Sequence, residues 1–294
     1  IVTCTFFMMK NLPGTPFDAE RFSIMTPQQQ ERVLEMYGLN DSLPMQYVKY
    51  IKNMLKGDLG TSFTYVNKDV SKVITGRLGP SALIGIQAVL IGLAIGLILG
   101  ILAAWKHNSG IDYFTMILAV LGVSVPNFVA AALLQYYIGL KWGVLPVGFW
   151  TGWNCSVLPS IALSFSATAM VARFMRTEML DVLDQDYIVT ARAKGLSQMK
   201  VLMRHAVRNS ILPVVTILGP IVVNLMTGSL AVENIFSIPG IGSLFVDCIK
   251  ANDYPVIMGI TIFYAAFYML VVLLVDLAYS LIDPRIRLAK GKES

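Results

Sequence analysis

The stretch Thr190–Pro213, TARAKGLSQMKVLMRHAVRNSILP, places five Lys and Arg residues inside a chain that is otherwise mostly compatible with lipid. A plain loop between two apolar runs needs neither helical spacing nor a glycine dividing it in two. The preceding FMRTEMLDVLDQDYIVTARAK reads as helical, Gly195 breaks it, and Leu196–Ser197 begin a second helix. The result is a helix–glycine–helix elbow, with charge on one side and Leu, Val and Met on the other. Such an elbow suits docking into a groove on another protein, and a basic amphipathic helix lying on anionic lipid is the alternative.

The flanking chain fixes the setting. Of 294 residues, 55% are hydrophobic and only 14% are charged. Soluble domains carry about 25% charge, so the composition is that of a polytopic membrane protein. Crossing a bilayer takes about 20 apolar residues in a helix. Uncharged runs of that order lie at Leu78–Trp105, Tyr113–Leu140, Trp142–Ala172, Asn209–Val232 and Tyr254–Val275. In the third, WGVLPVGFWTGWNCSVLP reads as an interfacial loop, and the helix proper starts near Val157. The opening IVTCTFFMM, residues 1–10 with Lys10, reads as the end of a truncated first span, making six. The expected class is therefore an all-α membrane protein.

Cations near span ends set the orientation. Lys106, Arg173, Arg176, Arg192, Lys194, Lys200, Arg204 and Arg208 fall on one side, together with the tail Asp283–Ser294. With that side cytoplasmic, both termini are cytoplasmic, and the net charge of +5 needs no nucleic-acid partner. Segment 11–79 falls outside. It is long and mixes both charge signs, and long loops translocate largely regardless of charge. Its helical pieces are a capping-box start at Thr26 with Gln29, ended by Gly38, and Pro44–Lys56, followed by Gly57. We read 11–79 as an extracytoplasmic subdomain, 80–282 as the transmembrane domain with its cytoplasmic loop at 178–211, and 283–294 as a tail.

Within the spans, Ala88, Gly92, Gly96, Gly100 and Ala104 recur every four residues and form a small-residue ridge, for packing either inside the chain or against a partner subunit. Ser124, Pro126 and Asn127 in VSVPNF predict a kinked helix and a candidate pathway lining, or a purely structural kink. Asp276 is the main ionisable group expected in a span. Secondary carriers keep carboxylates or His within the membrane, so their scarcity argues against ion-driven transport and against intramembrane catalysis. No GxxxxGK[ST] loop occurs, so any ATP and Mg must be held by another subunit. The three cysteines and two histidines have no metal-ligand spacing. Cys155 and Cys248 both fall on the outer side, where an oxidising compartment permits a disulfide.

DYIVTARAKGLSQMKVLMRHAVRNSILPVVT resembles the cytoplasmic loop of the peptide/nickel-type ABC importer permeases, most nearly the B subunits of the oligopeptide branch. The general signature of that group is Glu-Ala-Ala, three residues, then Gly. Here Val189-Thr190-Ala191 and Gly195 occupy those places, without the Glu. LPGTPF (12–17), GDLGTSF (57–63), VSVPNF (123–128), LPVGFWTGW (145–153), ENIFSIPGIGSL (233–244), DYPVI (253–257) and DPRIR (283–287) resemble that family's segments in the same order. The branch rests chiefly on PGTPF and GTSF, and dipeptide, nickel and other cargo systems share much of the pattern.

The resemblance implies a type I ABC importer transmembrane domain in a bacterial inner membrane. It implies a non-catalytic permease that forms half of a pathway for peptides. The elbow would be a coupling helix seated in an ATPase subunit, with Tyr187, Thr190, Ala191, Arg192, Ala193, Lys194, Gly195 and Leu196 forming or flanking the contact. The implied partners are a homologous C-type permease, two ATP-binding subunits, and an extracytoplasmic peptide-binding protein that selects cargo. A secondary carrier or a membrane scaffold are the readings from other classes.

Overall fold

The computed structural model describes residues 1–11, 22, 24–36, 38–65 and 68–282. The LPGTPF and DPRIR segments and the tail 283–294 lie outside them. Among the described residues the chain is helical, with one isolated bridge between Thr61 and Asp69 and no strand. The elements are α1 (Val2–Lys10), α2 (Pro27–Met36), α3 (Leu43–Leu55), α4 (Val70–Trp105), α5 (Gly110–Ser124), α6 (Asn127–Leu134), α7 (Val157–Leu183), α8 (Asp186–Ala193), α9 (Gln198–Lys200), α10 (Arg208–Met226), α11 (Leu230–Ile235), α12 (Ile241–Lys250) and α13 (Tyr254–Ile282). π-Helical turns continue α6 over Gln135–Lys141 and join α9 to α10 over Val201–Val207. Neither π segment was expected from the sequence.

Among the described residues, four helical stretches are long and apolar enough to cross a membrane: Val70–Trp105, Trp153–Leu183, Gln198–Ile235 and Tyr254–Leu277. A fifth candidate is the pair Gly110–Ser124 and Asn127–Lys141, bent by 99°. α1, expected as the end of a first span, is nine residues long. The bent pair differs from the single kinked span expected over Tyr113–Leu140. Val125 precedes proline and is driven out of the α region (φ −80°, ψ 119°), and Pro126 is itself extended (φ −58°, ψ 136°). Two successive extended residues turn the path through about a right angle, whereas a missing hydrogen bond alone would have bent it less.

The chain divides into two compact units. The first joins residues 1–79 to 240–266. This unit includes residues 1–10 and 240–266, beyond the 11–79 segment read from the sequence as an outer subdomain. Val70, Ile74, Ile241, Leu244, Ile257 and Ile260 are its buried core. The capping box is formed: Gln29 Oε1 accepts the Thr26 N–H at 2.9 Å, and Thr26 Oγ1 accepts the Gln29 N–H at 3.4 Å. Asp253, wholly buried, precedes α13 and accepts the Val256 N–H. The same carboxylate accepts Ser62 Oγ and the Phe63 and Thr64 N–H groups. The GDLGTSF and DYPVI motifs are thus two halves of one joint.

The second unit joins residues 80–239 to 267–294 and is built around α7, whose membrane window is two-thirds buried. Lipid tails are as apolar as Leu, so helices associate here by close packing and polar contacts. The ridge on α4 meets that need. A Cβ on Gly92, Gly96 or Gly100 would lie 2.6–2.7 Å from Ala167, Val171 and the Ala172 carbonyl of α7, respectively. Ala88 and Ala104 are buried in the same core. Ser160 Oγ of α7 donates to the Ile84 carbonyl of α4 at 3.2 Å, a contact type contributing roughly 0.6 kcal/mol on average in a membrane. On its other side, Gly122 of α5 stands 3.0 Å, by its added Cβ, from Ala169.

Candidate functional site: the elbow and its supports

The helix leaving the spans stops earlier than the sequence suggested. α7 ends at Leu183, and Asp184 and Gln185 form a turn before α8. Gln185 is extended (ψ 147°) and caps α8, whose first turn carries Asp186 and whose last turn carries Arg192, both favourable to the helix dipole. The α8 C-terminus closes as a Schellman motif: the Gly195 N–H bonds to the Arg192 carbonyl at 2.9 Å and the Leu196 N–H to the Ala191 carbonyl at 3.4 Å. Gly195 has φ +78°, the left-handed conformation that a Cβ disfavours. Ser197 is then extended (ψ 147°) and starts α9.

A small apolar knot holds the elbow's angle. Ile188, Ala191 and Val201 are buried together, with Val182 and Leu183 against them. Ala191 therefore faces inward, and Tyr187, Thr190, Arg192, Ala193, Lys194, Gly195 and Leu196 remain outward. The legs are tied by two hydrogen bonds. Ser210 Oγ donates to the Glu178 carbonyl at 3.2 Å, and Asn209 Nδ2 donates to the Tyr187 hydroxyl at 3.0 Å. The outer face exposes Tyr187, Val189, Leu196, Met199 and Met203 among Arg192, Lys194, Lys200 and Arg204. Exposed apolar and cationic side chains on one elbow are the residue types a docking helix presents.

The root of α5 is anchored to α7 by a cluster that sequence reasoning missed. Asp112, 2% exposed, accepts Arg176 Nε at 2.6 Å and Nη2 at 2.8 Å. It also accepts the Asn108 N–H at 3.0 Å and faces His107 Nδ1 at 3.2 Å. The signal available was a charge one residue before an uncharged run and another four residues past the next one. Asp276, expected as the main ionisable group in a span, is exposed.

The remaining sequence candidates lie elsewhere in the second unit. Ser124 and Pro126 are exposed and Asn127 is half-buried, at the break between α5 and α6. Two turns further on, at the start of the π-helical segment, Gln135 Nε2 donates to the Val147 carbonyl at 2.6 Å and the Ile235 carbonyl at 2.7 Å. The Phe149 N–H bonds to the Phe236 carbonyl at 2.8 Å, so LPVGFW and ENIFS also form one joint. Phe149 (φ +65°) and Ser237 (φ +51°) are held there in conformations rare for side-chain-bearing residues. Cys4 is an exposed thiol, and Cys155 and Cys248 are thiols each buried within its own unit.

The profile of the family described as the binding-protein-dependent transport system inner membrane component matches residues 96–288. The dipeptide transport system permease protein DppB of Lactococcus lactis subsp. cremoris is 45% identical, covering 98% of this chain and 94% of that protein. DppB of Bacillus subtilis is 44% identical over 99% and 94%. The oligopeptide transport system permease protein OppB of Escherichia coli is 38% identical over 98% and 94%. Among solved structures, the inward-facing MetNI methionine ABC transporter aligns with TM-score 0.62 at 13% identity, over 72% of this chain and 97% of that one. At that identity the likeness concerns the fold, a type I importer transmembrane domain.

Proposed function

Because the chain belongs to the family of binding-protein-dependent transport system inner membrane components, we propose that it is the permease subunit of an ATP-driven importer of short peptides. The cargo class rests on near-full-length relatives that carry both dipeptide and oligopeptide names. In this reading, length and side-chain preference are set by a separate binding protein, and the chain forms half of the pathway beside a homologous permease. Ser124, Pro126 and Asn127, at the α5–α6 break, are its candidate lining. The chain carries no nucleotide loop, so two ATPase subunits hold ATP and Mg.

The observation that carries the coupling role is the Schellman-closed elbow, with its exposed apolar and cationic side chains and legs rooted in α7 and α10. ATPase closure would move the docked elbow as a rigid body and rock the helices it continues. ATP biases the permease only through its different affinity for the two states, so a stiff elbow is what transmits that difference. Both termini and the elbow lie on the cytoplasmic side in this reading.

The test is to purify the chain from its native membrane in mild detergent and identify what accompanies it by mass spectrometry. The expected partners are a second permease, P-loop ATPases and a peptide-binding protein, with ATP hydrolysis stimulated by loaded binding protein. A competition series from dipeptides to longer peptides then fixes the cargo. Purification of the chain alone, or uptake that survives ATP depletion on an ion gradient, would sink the proposal.

A further inference from the structure

The second unit contains an open groove of about 820 Å³ between α4, α5, α6 and α7. Ligand pockets span about 300–1,000 Å³, so the volume is that of a site. Its walls are Ile91, Ile95 and Leu99 on α4 and Thr115, Leu118 and Gly122 on α5, with α7 from Ile161 to Ala172 as the floor. The lining is almost wholly apolar, and Ser164 turns its hydroxyl back to the Ile161 carbonyl at 2.8 Å. The walls offer little to a peptide and much to a hydrocarbon.

Length and charge narrow the occupant. Eleven residues of rise, from Ile161 to Ala172, make about 16 Å of helix. One leaflet of a bilayer's hydrocarbon is about 15 Å thick. The groove's far end is lined by Val125, Ala130, Leu133 and Leu134, where α6 turns 99° from α5. A groove of that length matches the reach of a single acyl chain. The other end meets the charged boundary: Arg173 follows Ala172, and Lys106 lies two turns beyond Leu99. Both cations are exposed, and Lys106 leans over Trp105 at 5.1 Å, an aromatic placed as at a headgroup interface. Arg176, beside them, is already committed to Asp112.

We propose that this groove binds one acyl chain of an anionic phospholipid whose headgroup phosphate sits on Lys106 and Arg173. Basic pockets between membrane helices select anionic headgroups in this way. The site lies behind the wall formed by α4, α5 and α7, and bound lipid would wedge the three helices at a fixed spacing. The proposal concerns the membrane-spanning unit and does not depend on the cargo.

The experiment uses the intact complex, delipidated in detergent and titrated with phosphatidylglycerol or phosphatidylcholine, with bound lipid counted by native mass spectrometry. Phosphatidylglycerol should be retained over phosphatidylcholine. Lys106→Gln and Arg173→Gln should each weaken phosphatidylglycerol roughly fivefold, the equivalent of about 1 kcal/mol per surface cation, and leave phosphatidylcholine unchanged. Ile95→Trp, at a half-exposed wall position, should remove the tight site for both. Equal retention of the two lipids by the unaltered complex, unchanged phosphatidylglycerol affinity in the Lys106→Gln, Arg173→Gln double variant, or a helix of the partner permease seated in the groove would each overturn it. Lipid counts are read without transport, so this idea and the peptide-importer reading fail separately.

Discussion

Replacing Gly195 separates the elbow's backbone from its docking surface. Gly195 sits at φ +78°, and a Cβ there would meet nothing within 4 Å. Gly195→Ala therefore carries no steric cost inside the chain, only the left-handed backbone penalty of about 1–2 kcal/mol. That is roughly a five- to thirtyfold rise in local opening of the α8–α9 turn, too little to affect membrane insertion. Asn tolerates the left-handed region, so Gly195→Asn should keep the turn at little cost. Gly195→Trp adds the same backbone penalty and also projects a large ring from the exposed face. The assay is peptide uptake and ATP hydrolysis in the same proteoliposomes, expressed as a ratio at matched complex assembly. The ratio should fall slightly for Asn, further for Ala and furthest for Trp, with ATP hydrolysis outlasting uptake. An unchanged ratio in Gly195→Trp would refute the elbow as the coupling element. Asn behaving as badly as Trp would refute the assignment of the turn to backbone conformation.

Three other outcomes follow from the same coordinates. Arg176→Ala leaves buried Asp112 with only the Asn108 N–H and His107 beside it, and should lower stability by up to about 3 kcal/mol, the low end for a broken buried pair, read as a lower thermal unfolding midpoint of the purified complex; adding Asp112→Ala should restore part of it. Gly100→Ala should destabilise by about 1–3 kcal/mol because its Cβ falls 2.6 Å from the Ala172 carbonyl, whereas Gly76→Ala, with nothing within 4 Å, should be neutral or slightly stabilising in the same melt. Burial pushes the Cys248 thiol up to about 12, so it stays protonated through the neutral and mildly alkaline range. Maleimide should label exposed Cys4 first and Cys248 only on unfolding, and non-reducing mass mapping should find all three thiols free.

Much of the fold was legible because apolar length and turn chemistry act locally. Val157 as the start of a span, the Thr26 capping box and Gly195 as the elbow's break all follow from a few adjacent residues, and each is where the structure has it. The misses are of another kind. The bent α5–α6 pair was read as one kinked span because the run Tyr113–Leu140 carries no charge, and hydropathy cannot distinguish a crossing helix from one that turns aside. Val125, forced extended by the proline after it, was the local clue. The π turns at 135–141 and 201–207 leave no mark in a pattern of apolar spacing, since they change the register of hydrogen bonds and leave the composition alone.

The site was legible where it protrudes and illegible where it is braced. The elbow announces itself as cations in an apolar chain, but its supports join residues far apart in sequence. Asp112 and Arg176 are 64 residues apart, and Glu178 and Ser210 are 32 apart. Each group, taken alone, looks like an ordinary loop or flank polar residue. Asp112 is poorly suited to a proton relay, which needs a carboxylate free to exchange its proton, because it is held by a bidentate guanidinium and a backbone N–H. In the proposed coupling role, this pairing would let the elbow act at a distance. Arg176 lies two turns before the end of α7, so the pair fixes the root of α5 to the helix that leads directly into the elbow. Motion delivered at Gly195 would then reach α5 through α7 without first being lost in the 106–109 turn. The double variant Arg176→Ala, Asp112→Ala makes that separable: restored stability with a lowered uptake-to-ATP ratio would mark the pair as a transmission joint, and a ratio restored along with stability would reduce it to scaffolding.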